Sequence, residues 1–153
     1  MKRNKRTKSR RQVIPVWTYE QARKASPYLA SILRSVREHR IDAQRHEVAA
    51  KRLADAPGRP DRKSLIAHTE ATRESERAQD RVAEAIGELD DLGIECLDPV
   101  QGIALVPFAN EDQLAWFIYD LFDEEPLRYW RYHKDPLDTR RPIETIQETN
   151  TAA

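Results

Sequence analysis

Two stretches of the chain place apolar, small or weakly polar residues at alternating spacings of three and four, the period of one face of an α-helix. The first runs through Leu29, Ile32, Val36, His39, Ala43, His46, Ala50 and Leu53. The second runs through Leu65, His68, Thr72, Ser75, Gln79, Val82, Ile86 and Leu89. If the chain folds back near Arg59, Leu53 meets Leu65, Val36 meets Val82, Ile32 meets Ile86 and Leu29 meets Leu89. The two residue numbers of every pair then have the same sum, as an antiparallel helix pair requires. The pattern predicts a long helical hairpin with one seam.

Local signals set the ends of its arms. Thr18 followed by Gln21 reads as a capping box, opening a short helix to about Ala25. Ser26 with Pro27 at the first helical position predicts the start of the first arm, which runs to about Ala54. Pro57, Gly58 and Pro60 break the helix, the second arm begins near Ser64, and Gly93 stops it after Leu92. Aliphatic layers at the open end of the seam predict a firm base. The middle layers are small or polar, so the distal half is expected to open more readily, with Leu53 and Leu65 closing the tip. Arg40 and Glu76 are a candidate pair between the arms. Ala71, Ala78 and Ala85 line one flank of the second arm, where the C-terminal half is expected to approach closely.

Beyond Gly93 the period changes to that of extended chain. Ile94 to Leu97, Ile103 to Phe108, Leu114 to Phe122 and Leu127 to Tyr132 read as strands separated by polar turns, an antiparallel meander. Val13 to Trp17 adds a possible short strand before the hairpin. The whole is an α+β domain over residues 13–143, with the hairpin at 18–92 and the meander at 94–132. Residues 1–12 and 144–153 are expected to be disordered tails.

Composition narrows the class. Charged residues make up 34% and the mean hydropathy is −0.80, which suits an exposed hairpin. No apolar run approaches the roughly 20 residues that span a bilayer, and no apolar segment follows the basic N-terminus, so a soluble cytoplasmic protein without a secretory signal is expected. The single cysteine, Cys96, excludes an internal disulfide and a multi-cysteine zinc site. Net charge is zero, yet Lys2, Arg3, Lys5, Arg6, Lys8, Arg10 and Arg11 precede the first acid, Glu20, leaving 19 bases against 26 acids in the body. Such a tail suits phosphate neutralisation on RNA or DNA.

One resemblance runs through most of the chain. Trp17-Thr18-Tyr19-Glu20-Gln21-Ala22 with Pro27-Tyr28-Leu29, then Gly93-Ile94 to Asp98, Gly102-Ile103 to Pro107, the aromatic run Trp116 to Phe122, Tyr129-Trp130 and Arg140-Arg141-Pro142 resemble, in order, a bacterial domain-of-unknown-function family, number 2203. The order and spacing of these steps, over roughly Val16 to Ile143, carry the likeness. The resemblance implies a hairpin with a small sheet and no assigned activity. Leu105 stands where the family pattern has Asp, Asp120 and Leu121 where it has Trp-Arg, and Arg131 where it has His, which makes this chain a divergent member.

Candidate chemistry is sparse. His46 and His68, one seam layer apart, are the candidate metal ligands, with Glu47 or Glu70 nearby; zinc wants three or four ligands. His39 lies too far along the seam to join them, and His133 reads as a surface residue. Asp120, Asp123, Glu124 and Glu125, with Glu111 and Asp112 before them, read as a solvated acidic edge, Asp120 being an outward residue that discourages strand pairing. There is no Gly-rich phosphate loop and no Gly-x-Ser-x-Gly step, and Cys96 lacks an activating base. The reading that follows is a non-enzymatic interaction or scaffold protein with no cofactor. Its hairpin would be the surface for a protein partner or a second copy. The alternatives are a nucleic-acid or ribosome-associated accessory protein acting through residues 2–11, and a metal-dependent enzyme.

Overall fold

The computed structural model describes residues 15–146. Two long helices, α1 (Tyr19–Asp55) and α2 (Arg62–Asp91), form the hairpin. Strands β1 (Glu95–Asp98), β2 (Ile103–Asn110), β3 (Gln113–Asp120), β4 (Tyr129–Tyr132) and β5 (Arg141–Pro142) follow, and a short 3-10 turn closes at Ile143–Thr145. The sheet is an antiparallel meander in chain order, β1-β2-β3-β4-β5. This is the α+β architecture that the two periodicities predict.

α1 starts where expected: the Thr18 hydroxyl accepts from the Gln21 N–H, and the Gln21 amide oxygen accepts from the Thr18 N–H. The expected break at Ser26 and Pro27 is absent, and one helix passes through Pro27. The proline removes the bond its N–H would give to the carbonyl of Arg23. Ser26 is held by the sheet instead of capping a helix: the Tyr119 hydroxyl donates to the Ser26 carbonyl (3.0 Å) and lies 3.1 Å from its Oγ. α2 begins earlier than Ser64 because the Asp61 carboxylate accepts the Ser64 N–H at 2.8 Å. At its end the N–H groups of Gly93 and Ile94 close back on Asp90 and Leu89, with Gly93 at φ +75°.

The seam register is the predicted one at its middle, where the Ser75 hydroxyl donates to the carbonyl of Ala43 across the arms. Leu29, Ile32, Val36 and Leu89 are buried at the base, with Val82 and Ile86 packed against them. The tip differs from expectation. Leu65 is 54% exposed rather than buried in a closed layer, and it lines a cavity at the tip with Leu53, Pro57 and Pro60. The pair Arg40–Glu76 is not formed; on the arms the ion pairs among the described residues lie within one helix, as in Lys51–Asp55 and Arg77–Glu74.

One sheet face packs on the hairpin base. Ala104, Val106, Phe108, Ala115, Phe117, Tyr119 and Trp130 share a core with Ala22, Leu29, Leu33, Val36, Ala85 and Leu89. Phe108 and Phe117 stack at 3.9 Å, and Tyr19 meets the Phe117 edge at 5.8 Å. The opposite face buries Leu105, Trp116 and Ile118. There the segment after β4 contributes, with the Trp116 Nε1–H donating to Nδ1 of His133 (3.1 Å). Residues 15–18 form no strand, but the Trp17 N–H donates to the Pro107 carbonyl and its indole N–H to the Leu92 carbonyl. Trp17 thereby fastens sheet to hairpin.

Candidate interaction surface

The firm contacts all lie at the base, so the distal half of the hairpin stands clear of the sheet. Two of its exposed aliphatic residues fall on the face of α1 that points away from the seam, Ile41 at 36% and Val48 at 45% exposed, and two more, Leu65 and Ile66, lie on α2. Together with Gln44, Arg45, Ala49 and Arg52, Ile41 and Val48 form an open face on the one helix, beside which Arg45 pairs with Asp42. Nearer the base the same face meets the sheet. Arg37, one turn before Ile41, donates from Nε to the Val100 carbonyl at 2.8 Å and holds its guanidinium 4.9 Å from the Phe122 ring. Phe122 is 64% exposed, so Arg37 ties an exposed ring and the Val100 carbonyl to α1 one turn before Ile41. At the tip, Leu53, Pro57, Pro60, Leu65 and His68 line a cavity of about 310 Å³.

The predicted metal ligands fall within this half. His46 and His68 are each half-buried along the seam, and His68 lines the tip cavity. Among the described residues, no group of three or more His, Cys, Asp or Glu comes together to hold a metal ion. Lys2, Arg3, Lys5, Arg6, Lys8, Arg10 and Arg11 lie outside the described residues, as do Val13 and Ile14 of the first expected strand.

The acidic residues serve the turns. Asp123 accepts two bonds from Arg128, both at 2.9 Å, and these hold its carboxyl well below the ordinary range, at about 2. A carboxyl so held is ionised near neutral pH and unsuited to act as a general acid. Asp120 is not an edge residue, since β3 lies between β2 and β4; its carboxylate accepts the Phe122 N–H and ends the strand. Glu111 and Asp112 make the two-residue turn between β2 and β3 with φ of +52° and +62°. Cys96 is half-buried in β1, and burial followed by the charges of Asp98 and Asp90 pushes its thiol up, away from thiolate chemistry.

Sequence reading missed two features. Arg131 is buried on the outer sheet face, where it donates from NH1 to the carbonyls of Tyr132 and Asp135, and its Nε has no hydrogen-bond partner. Asp135 and Arg141 form a two-bond pair below it in sequence, with Arg141 over the rings of Trp130 and Tyr132. The second is the contact of Arg37 with Val100 and Phe122 beside the exposed face of α1. Its sequence signal is a second stripe on α1, opposite the seam, running Arg34, Arg37, Ile41, Arg45, Val48 and Arg52 at helical spacing.

A long two-helix hairpin fastened at its base to one face of an antiparallel meander defines the class of protein. Residues 15–143 match the model of a family described as an uncharacterized conserved protein (DUF2203), and the chain belongs to that family. No curated protein and no solved structure matches it. Among the described residues no helix is long and apolar enough to cross a membrane.

Proposed function

We propose that this is a cytoplasmic, non-enzymatic interaction protein whose distal hairpin is the binding surface for a protein partner or a second copy. The observation that carries the reading is the placing of apolar surface. Ile41, Val48, Leu65 and Ile66 are exposed on the distal half of the hairpin, whereas Leu29, Leu33, Val36 and Leu89 at its base are buried in the core shared with the sheet; Tyr28, Phe122 and Leu137 are exposed elsewhere. Exposed aliphatic residues on both arms of the half that shares no core with the sheet suit recognition. The chemistry described above supports the same side: burial raises the Cys96 thiol, Asp123 is tied to Arg128, and among the described residues His46 and His68 belong to no group of three or more ligand side chains.

The test is native purification of the tagged full chain beside its Ile41→Asp/Val48→Asp variant, with sedimentation of both. A partner or a dimer retained by the parent and lost from the variant, at unchanged helicity, is the expected result. Identical associations for both proteins would defeat the proposal.

A second reading rests on the sequence of residues 2–11, which carry seven cations ahead of any acid. It makes the protein an accessory to RNA or DNA. Full engagement of those cations with duplex would give a log–log salt slope of about −6. Anisotropy with labelled RNA and duplex DNA, before and after deletion of residues 1–12, separates it from the first. Binding that disappears with the deletion supports it, and no binding near physiological salt removes it.

A further inference from the structure

The outer face of α2 carries charge that nothing else in the fold matches. Asp80, Glu84, Glu88 and Asp91 fall at spacings of four, four and three, so they form one stripe along the helix. All four are exposed, as are Asp90 and Glu95 at the end of the arm. Residues 80–95 hold six acids and one base, Arg81. Among the described residues none of the six acids is in an ion pair, and Glu88 accepts one long bond, 3.4 Å, from the Tyr28 hydroxyl. The last turn of α2 has no basic residue, so the negative end of the helix dipole has no cation of its own. We infer that residues 2–11 of the same chain dock along this stripe. The contact is independent of both functional readings above, and any polyanion that takes the tail must first displace it from the helix.

Reach selects this occupant. The described chain begins at the acidic end of α2: Pro15 packs on Gly93, where an added Cβ would lie 2.8 Å from the proline Cγ, and it lines one cavity with Trp17, Asp91 and Leu92. Arg11 stands four residues upstream, within about 14 Å of Pro15 along an extended chain. The stripe from Asp91 to Asp80 is about 16 Å long at 1.5 Å per residue. Residues 2–11, which lie outside the described residues, carry seven cations and no acid, the complement of the stripe. Their attachment beside the stripe holds them at a high effective concentration, whereas a separate chain must bring its cations from solution. The first arm of a second copy is also the poorer match, because three of its six bases are engaged: Arg45 with Asp42, Lys51 with Asp55, and Arg37 with the Val100 carbonyl. Elsewhere on the body the acids are less available to the tail. Asp123 and Glu125 both face Arg128, and Asp135 is paired with Arg141.

The experiment treats the full chain at low salt with a water-soluble carbodiimide, which joins a lysine amine to a carboxylate when the two are in contact. The sample is an equal mixture of ordinary and heavy-nitrogen protein, and the linked peptides are read by mass spectrometry. Lys2, Lys5 and Lys8 are expected to link chiefly to Asp80, Glu84, Glu88 and Asp91 within one chain, the yield falling several-fold as salt is raised. The surface variant Asp80→Asn/Glu84→Gln keeps Glu88 and Asp91 as acceptors, yet it should lower the links to those two several-fold, because the tail is held by the stripe as a whole. Links spread evenly over Glu111, Glu124 and Glu144, or no links, would overturn the inference. Links to Asp91 alone that the variant leaves unchanged would do the same, since they need only the attachment of the tail at Pro15. A main product that joins ordinary to heavy chains would place the tail on a second copy and so overturn docking on its own helix.

Discussion

Gly102 turns the chain from β1 into β2 at φ +72°, and a Cβ built there would lie 2.7 Å from the Cβ of Leu121. The left-handed conformation alone disfavours any other residue by about 1–2 kcal/mol. Since the Leu121 Cβ is fixed to its backbone, Gly102→Ala should cost about 2 kcal/mol or more and lower the Tm by about 6 °C, measured by thermal unfolding. Gly58 has a positive φ as well but open space around it, so the alanine change there should be milder. A second prediction concerns Asp123. Arg128 depresses its carboxyl to about 2, so the stability it adds is present above the ordinary carboxylate range and is lost as the pH falls towards 2. Asp123→Asn should therefore unfold at a lower temperature than the parent at neutral pH, with the difference closing as the pH approaches 2. A constant difference across that range would show that the ion pair is not its source. At this scale the sequence was readable where the signal is local. Thr18 with Gln21, and Gly93 after its helix, do what their residue types predict. Arg37 on Phe122 and the burial of Arg131 depend on partners far away in the chain, which no local pattern announces.

Pro27 shows how an element can overrule its own local signals. Ser-Pro reads as a helix start, yet α1 continues because Leu29, Leu33 and Val36 on one side and Ala22 on the other are all buried in the same core. An interior proline costs a helix about 3 kcal/mol relative to alanine. Pro27 is exposed, so its removal sacrifices little packing. Pro27→Ala should raise the Tm, and a lower Tm would mean that the bond from Tyr119 to Ser26 needs the proline's local geometry. The hairpin seam was legible because both arms repeat one period and meet in one register, which the Ser75–Ala43 bond fixes. The tip was not, since a leucine at a seam position does not tell whether the last layer before a Pro-Gly-Arg-Pro turn is covered, and Leu65 is exposed. The meander was legible from its turns. Strand β5 was not, being two residues paired to Tyr129 and Trp130 and too short for any period.

The whole molecule is uneven in a way that bears on function. Sheet, hairpin base and Trp17 share one core, whereas beyond the layer of Ala43 and Ser75 the seam residues are half-buried or exposed. Hydrogen exchange should follow this division, with amides of residues 28–37 and 82–89 exchanging more slowly than those of 46–53 and 65–72. Uniform protection along both arms would contradict the division. The candidate site was only half visible in the sequence, because the stripe on α1 is a pattern, but the contacts of Arg37 come from Val100 and Phe122, far along the chain. The most direct test of the central claim is site-specific photo-crosslinking in cells, with benzoylphenylalanine at Val48 in one protein and at Glu84, exposed on the other arm near the base, in a second. The account predicts a discrete adduct from position 48 and none of comparable yield from position 84. No adduct at 48, or matching adducts at both, would contradict the claim that the distal hairpin is the working surface.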